Sequence, residues 1–325
     1  MTYTFKVTGP PIVNESTTTG RIAAPAGTPG ALSGLVFPSG VYGQNNPTKT
    51  RAFATARGKA LDLLAYFPSR ETWAALKGSW WFTMSEYFPQ EFTGNVQIGM
   101  PLFPDNGNLD TAAAGGYNTD WREWATSVKT RFPNAYVRPG WEMNITNWGW
   151  SPRDAAGAAK FKTAFQHAVT SIRAVAPGMR IIFCPNLGAG NTGVVNAMDC
   201  YPGDGFVDLF GLDAYDWDAP YTSDAACATH KTATYEWDWW LSQAKTRGKK
   251  LALCEWGLYP GSPNSGGDNP RYVRFVYEWL RANAAHIEFE TYFQEEADYI
   301  SSDLFAGRNP LASAEYKRQM GLMTA

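Results

Sequence analysis

The chain reads AYVRPGWEMNITNWGWSPRDAAGAAKFKTAFQHAVTSIRAVAPG over residues 135–178. Its first residues, Ala135-Tyr-Val-Arg138, are largely apolar and predict a short strand. Ser151-Pro152 then supplies a helix cap and a first-turn proline, and apolar residues recur at helical spacing until Pro177-Gly178 ends the helix. A short strand followed by one long helix is the repeating unit of a parallel α/β fold.

The same unit recurs along the chain from about residue 31. The predicted strands are residues 35–38, 63–67, 96–102, 135–138, 180–185, 207–213, 250–255 and 287–293. Eight strand–helix units over roughly 290 residues have the size and rhythm of a (β/α)₈ barrel, and strands apolar on both faces fit a parallel sheet covered by helices. We therefore predict one TIM barrel over residues 31–325, preceded by an extended arm over residues 1–30.

A doubly wound open sheet is the competing α/β architecture. It would need a glycine-rich phosphate turn after an early strand, and Gly34 to Gly43 contains glycines without the G-x-G-x-x-G spacing. The barrel is therefore the preferred prediction.

Charge and hydropathy exclude several kinds of partner. The 325 residues carry 28 Lys and Arg against 30 Asp and Glu, so there is no basic excess to bind nucleic acid or an anionic membrane. No apolar run of about 18 residues predicts a membrane span, and the N-terminal sequence does not resemble a signal peptide. We expect a monomer, with an extracellular or particle-associated location favoured even though no signal peptide is visible.

The four cysteines show no metal-binding spacing. Cys184 and Cys254 lie in apolar strand-like runs and are predicted to be buried free thiols. Cys200 and Cys227 lie in loop-like sequence and could pair in an oxidising compartment.

Histidines and acidic residues also lack the spacing of metal sites. The three histidines form no H-E-x-x-H pattern, and Asp213, Asp216 and Asp218 do not match a calcium loop, although they could bind sugar hydroxyls or a cation. Neither a metal nor a cofactor is therefore predicted.

Two glutamates follow apolar strand sequence at the ends of the fourth and seventh predicted strands. Glu142 and Glu255 would lie at the C-terminal mouth of the barrel, where catalytic groups of this fold occur. Each alone could be a structural ion pair. Because strands four and seven lie nearly opposite one another, their carboxyls can face each other, and a retaining glycosidase needs two carboxyls about 5–5.5 Å apart. The pair therefore predicts a sugar-cleaving barrel.

Aromatic residues are abundant, with 14 Trp, 16 Tyr and 18 Phe. Flat rings beside carboxylates and amides suit sugars, whereas a Trp-rich core is the alternative for any single ring. The rings at or just after strand ends are predicted to stack on sugar; they are Trp148, Trp150, Trp217, Trp256 and Tyr292. Trp80 and Trp81 are predicted to lie in the core.

Three segments resemble family 26 glycoside hydrolases, which are clan A retaining enzymes best known as β-mannanases. The run Arg138-Pro-Gly-Trp-Glu142-Met-Asn144, followed by Trp148 and Trp150, resembles the acid/base segment of that family. Glu255-Trp-Gly257 resembles its nucleophile segment, and Asp208-Leu-Phe-Gly-Leu-Asp213-Ala-Tyr215 resembles its sixth-strand segment.

The resemblance implies a role for each matching residue. Glu142 would be the general acid/base and Glu255 the nucleophile, with Tyr215 orienting Glu255. The family usually has His immediately before the acid/base, and this chain has Trp141 instead. Because Trp offers only one N–H, the sugar bound can differ from mannan.

Two further polar residues are candidates from their positions alone. Arg138, on the strand face of Glu142, could hold Glu255 ionised, or form a structural ion pair. Asn186 closes the fifth strand and could bind a sugar hydroxyl, or form a turn.

The predicted activity is retaining hydrolysis of a β-linked polysaccharide or oligosaccharide, with mannans and bacterial cell-envelope glycans as candidates. An inverting hydrolase would separate the carboxyls by about 6.5–9.5 Å. A catalytically inactive barrel that binds glycans, as an adhesion module of a phage tail or cell-surface assembly, is the alternative from another class.

Overall fold

The computed structural model describes residues 28–78, 92–192, 196–217 and 220–324. Eight parallel strands form a closed barrel in chain order, and β8 pairs with β1. The strands are β1 (Ser39–Tyr42), β2 (Leu63–Tyr66), β3 (Asn95–Met100), β4 (Tyr136–Pro139), β5 (Arg180–Phe183), β6 (Leu209–Asp216), β7 (Leu251–Leu258) and β8 (Ile287–Phe293). The predicted TIM barrel is confirmed, and closure excludes the open sheet.

Helices surround the barrel. They are α1 (Pro47–Arg57), α2 (Trp73–Lys77), α3 (Leu109–Ala113), α4 (Asn118–Lys129), α5 (Ala155–Val175), α6 (Asp224–Thr232), α7 (Trp237–Thr246), α8 (Pro270–Ala282) and α9 (Pro310–Leu322). Short 3₁₀ turns occur at Ala197–Cys200, Asp204–Phe206 and Ala284–His286. None of the helices in these ranges is long and apolar enough to cross a membrane.

Local sequence sets several helix starts. Asn269 caps α8 by accepting the backbone N–H of Arg271, and Pro270 follows at the first helical position. The helix α5 begins later than the predicted Ser151-Pro152, because the Asp154 carboxylate accepts the Gly157 N–H at 2.7 Å and caps it there.

The core lies between the barrel and its helices. All eight residues of β7 are buried, which explains why its sequence is almost continuously apolar. Trp124, Trp237 and Trp240 are fully buried in the helical layer. Burying a large apolar side chain contributes about 1.5–3 kcal/mol, so much of the tryptophan surplus stabilises the core.

Some sequence predictions of elements were wrong. The first strand is Ser39–Tyr42 rather than residues 35–38. The polar Ser39 can be buried in the barrel because its hydroxyl donates to Glu290. Leu35 instead forms an antiparallel bridge with Thr324, outside the barrel strands. Cys200 and Cys227 are free rather than paired, whereas Cys184 and Cys254 are buried free thiols as predicted. Most of the predicted arm, together with Trp80 and Trp81, lies outside the described residues.

Candidate active site

A sharp turn of the backbone places Glu142 at the mouth of the barrel. Glu142 follows β4 by three residues and has φ 52°, a left-handed conformation that is uncommon for a residue with a side chain. Its N–H donates to the Cys184 carbonyl oxygen at 2.7 Å, just beyond β5. Such strained positions cost about 1–3 kcal/mol and cluster at functional sites.

The Glu142 carboxyl is buried and receives two hydrogen bonds. Asn186 Nδ2 donates to Oε1 at 2.7 Å, and Trp148 Nε1 donates to Oε2 at 3.0 Å. Burial and, secondarily, the negative charge of Glu255 raise the pKa of Glu142 to about 7, although the two donors oppose that rise. A carboxyl that holds its proton near neutral pH suits a general acid.

Glu255 lies in β7 and has different partners. Arg138 Nη2 donates to Oε1 at 2.7 Å, and the Tyr215 hydroxyl donates to Oε2 at 2.7 Å. Each oxygen is thus fixed by its own donor, and one donor is cationic. The structure shows both contacts that the sequence predicts for Arg138 and Tyr215.

Arg138 lies beneath the site and is completely buried. Its Nη1 donates to both carboxylate oxygens of Asp213, at 2.7 and 2.8 Å. Asp213 is 0% exposed and both of its oxygens are bonded to Arg138, so the prediction that it binds sugar hydroxyls is wrong. Asp213 instead helps hold the guanidinium that contacts Glu255.

Asn186 is positioned by a residue that the sequence analysis missed. Asn144 Oδ1 accepts the Asn186 N–H at 2.9 Å, and Asn144 Nδ2 donates to the Asn186 carbonyl at 2.8 Å. Gly190 packs so closely that a Cβ there would lie 2.0 Å from the Asn144 carbonyl oxygen. The Asn186 amide is thereby aimed at Glu142, where it can also meet a sugar hydroxyl.

The tryptophans after β4 form a cluster. Trp148 and Trp150 stack with centroids 5.2 Å apart, and Trp150 Nε1 donates to the Trp141 carbonyl at 2.8 Å. Because Trp150 is only 2% exposed, its predicted role as a sugar-stacking surface is wrong. Trp141 packs on Phe67 and Trp148, with centroids 5.5 and 5.1 Å away, and forms an apolar wall.

Two other predicted stacking residues lie in the core. Trp256 is fully buried, and its Nε1 donates to Glu290 Oε2 at 2.7 Å. Tyr292 is also fully buried, and its hydroxyl donates to the Ser302 carbonyl at 2.6 Å. Neither ring reaches the cleft, so both predictions are wrong.

The acidic residue that ends β6, Asp216, is part of the scaffold. Asp216 is buried and accepts the Tyr221 N–H at 3.0 Å and Asn269 Nδ2 at 2.8 Å. Asp218 lies outside the described residues. Both contacts of Asp216 hold the loop after β6 and the start of α8 in place, so its carboxylate stabilises the protein and does not bind a ligand in the cleft.

A cleft of about 470 Å³ lies above the two glutamates. Aromatic residues from several strand ends line it: Tyr42, Phe67, Trp141, Trp148, Tyr215, Trp217, Tyr259, Phe293 and Tyr299.

Three of them, Trp217, Tyr259 and Tyr299, form what we call the aromatic shelf. Trp217 is 41% exposed and Tyr299 is 61% exposed, and Tyr259 lies 5.6 Å from Trp217 between ring centroids. Only Trp217 of the shelf was predicted from the sequence.

The raised pKa of Glu142 gives a prediction for stability. A carboxyl whose pKa is higher in the folded state stabilises the fold at low pH and loses that contribution as pH rises through the folded value. When the pH is raised from 5 to 8, the wild type should therefore lose up to about 3 kcal/mol of unfolding free energy that Glu142→Gln does not lose. Urea unfolding at both pH values measures this. Glu123→Gln, at an exposed glutamate, is the control; equal pH dependence of Glu142→Gln and wild type would contradict the assignment.

The chain is similar in sequence to two curated enzymes, whereas no protein-family model matches it. It is 27% identical over 219 residues to the mannan endo-1,4-β-mannosidase of Bifidobacterium adolescentis, covering 65% of this chain and 21% of that protein. It is 22% identical over 306 residues to endoglucanase H of Acetivibrio thermocellus, covering 89% of this chain and 31% of that protein. The chain thus spans about a fifth to a third of the length of these relatives.

Solved structures show the same fold. The catalytic domain of the Bacillus sp. JAMB-750 GH26 endo-β-1,4-mannanase superposes with a TM-score of 0.61 at 17% identity, covering 83% of this chain and 78% of that one. GH26C of Muricauda sp. MAR_2010_75 superposes with a TM-score of 0.58 at 17% identity, covering 89% and 86%. The chain resembles family 26 glycoside hydrolases. The three sequence segments that carry this resemblance meet at the cleft, where they contribute Glu142, Glu255 and Tyr215.

Proposed function

We propose that this chain is a retaining glycoside hydrolase that cleaves a β-linked polysaccharide or oligosaccharide. The observation that carries the proposal is the pair of glutamates in one cleft with different surroundings. Glu142 is buried, with a raised pKa and two uncharged donors, whereas Glu255 is bonded to Arg138 and Tyr215. A buried carboxyl with a raised pKa suits the acid, and a carboxyl held by a cationic donor suits the nucleophile.

In the first step, Glu255 attacks the anomeric carbon while the glycosidic C–O bond breaks. Glu142 gives its proton to the departing oxygen, so the leaving sugar departs as a neutral alcohol. The glycone stays attached to Glu255 as an ester, and Glu142 is left as a carboxylate. Arg138 and Tyr215 hold the two oxygens of Glu255 in place before attack.

In the second step, Glu142 takes a proton from a water molecule while the oxygen of that water attacks the anomeric carbon. The bond to Glu255 breaks, and Glu255 returns as a carboxylate while Glu142 is again protonated. Two inversions leave the anomeric configuration unchanged. Asn186 and Trp148, which donate to Glu142, stabilise the carboxylate form that acts as the base.

Mannan is the first substrate to test. The similar curated proteins are named for β-1,4-mannan and as an endoglucanase, which supports a β-linked hexose polymer and internal cleavage. Trp141 makes the wall beside Glu142 apolar, so a glycan other than mannan remains within the proposal. Cell-envelope glycans of bacteria are the second group of substrates.

Product analysis against a polysaccharide panel tests the activity. The purified protein should release oligosaccharides from at least one of the mannans, glucans or bacterial cell-envelope glycans, while Glu255→Ala should release none. Binding to a glycan with no increase in reducing ends would contradict the proposal and favour an inactive glycan-binding barrel.

The aromatic shelf gives a prediction about longer substrates. Trp217→Ala should lower kcat/KM about tenfold for oligosaccharides long enough to reach the shelf, chiefly through KM, because an exposed ring stacks on the apolar face of a sugar. Kinetics on a series of chain lengths measure this. Leu311→Ala, which removes a side chain 61% exposed on α9, is the control. An equal loss with the shortest and longest substrates would contradict the assignment.

A further inference from the structure

Arg70 contacts the tryptophan that donates to Glu142. It lies in the loop between β2 and α2 and lines the cleft. Its guanidinium carbon lies 5.0 Å from the centroid of the Trp148 ring, within the range of a cation–π interaction. Trp148 is therefore contacted by Arg70 at the surface and by the buried Trp150 from the core.

Arg70 is itself held by the neighbouring loop. Its Nε donates to Asp105 Oδ2 at 3.2 Å, and the Asp105 N–H donates to the Arg70 carbonyl at 2.8 Å. These two bonds join the loops that follow β2 and β3. Both side chains are about half exposed, so the ion pair contributes little to stability by itself.

The contacts form a continuous line from the surface to the acid/base: Asp105 holds Arg70, Arg70 covers Trp148, and Trp148 donates to Glu142. An indole has a single N–H, and a hydrogen bond weakens steeply once its angle falls below about 120°. A rotation of the Trp148 ring that takes the N–H out of that range would therefore weaken the bond to Glu142. Trp150 and Trp141 contact the ring from the barrel side, and Arg70 adds the contact on its surface side.

We propose that Arg70 is a positioning residue that acts through Trp148 to keep the indole N–H aimed at the acid/base carboxyl. The proposal rests on the proposed function in assigning Glu142 as the acid/base. It concerns the orientation of Trp148 and requires no contact between Arg70 and substrate.

Carbon-13 NMR of glutamate-labelled protein tests this inference without turnover. The Glu142 signal is assigned by its loss in Glu142→Gln, and its pKa is measured in Arg70→Ala, in Trp148→Phe and in the double variant. Because the indole bond stabilises the carboxylate, both single variants should raise the pKa of Glu142. Trp148→Phe keeps a ring but removes the N–H, so adding Arg70→Ala to it should produce no further rise.

Two results would overturn the inference. One is an unchanged pKa of Glu142 in Arg70→Ala. The other is a rise that persists undiminished in the Trp148→Phe background, which would show that the Arg70 charge acts directly. Arg122→Ala, which removes an exposed arginine of α4 outside the cleft, is the matched control.

Activity separates this inference from the proposed function. If the enzyme hydrolyses glycans, Arg70→Ala should move the alkaline limb of the kcat/KM pH profile upward, because Glu142 then keeps its proton to higher pH. An unmoved limb would count against the positioning role. A pKa rise in a protein without hydrolytic activity would support the Arg70–Trp148 linkage while contradicting the proposed function.

Discussion

Glu255→Ala is expected to lower kcat by about 10⁵-fold, because no other group takes the place of the attacking carboxylate. Added azide should restore part of the rate by entering the space left by the side chain. Because azide would displace the aryl leaving group in one step, the product should be a glycosyl azide of inverted configuration. Rates on an activated aryl glycoside and NMR of the product measure both effects.

Glu142→Ala is expected to show the complementary behaviour. Loss of a general acid costs about 10²–10⁴-fold, and an activated aryl leaving group needs little protonation, so such a substrate should recover much of the first step. Glu71→Gln, which changes another acidic residue lining the cleft, is the matched control. A wild-type rate of either alanine variant on an unactivated glycan would remove that glutamate from the mechanism.

Arg138→Met is expected to cost about 3–5 kcal/mol of unfolding free energy. Arg138 is wholly buried and pairs with Asp213 and Glu255, each at 2.7 Å, so its loss leaves two carboxylates without their cation. Urea unfolding measures the change. Arg173→Ala removes a partly exposed arginine paired with Asp208 and should cost less than about 1 kcal/mol.

A double variant tests the cause of that loss. Replacing Asp213 by Asn in the Arg138→Met background removes one of the two unpaired carboxylates. The double variant should therefore be more stable than Arg138→Met alone. A further loss, equal to that of Asp213→Asn in the wild type, would show that the two residues stabilise the fold independently.

The barrel and the two glutamates could be predicted from local sequence. Strand rhythm and helix-cap residues are short-range signals, and strands four and seven of a closed barrel place their ends at one mouth. The contacts of Glu255 with Arg138 and Tyr215 also agree with expectation. The contact of Arg138 was expected from its position on the strand face of Glu142, and that of Tyr215 from the resemblance to family 26.

The wrong predictions for Trp256 and Asp213 arose because the direction in which each side chain points was not known from the sequence. Successive residues of a strand face opposite sides, so Trp256 faces the core when Glu255 faces the cleft. Strict use of that alternation would have corrected the prediction for Trp256. The burial of Asp213 depends instead on the distant Arg138, and no local pattern reports such a contact.

Loop residues were the least accessible to sequence reasoning. Tyr259, Tyr299 and Arg70 follow different strands, and their places depend on how the loops fold over the mouth. Asn144 is a similar case, because its contacts with Asn186 join two loops that are 42 residues apart in sequence. Such groupings become visible only in three dimensions.

The anomeric configuration of the first product tests the central claim most directly. Proton NMR of a β-linked oligosaccharide during the first turnovers should show the β-anomer of the new reducing end appearing before mutarotation. That result is what double displacement through Glu255 with Glu142 as acid/base predicts. The α-anomer appearing first would show inversion by a single displacement and would contradict the account.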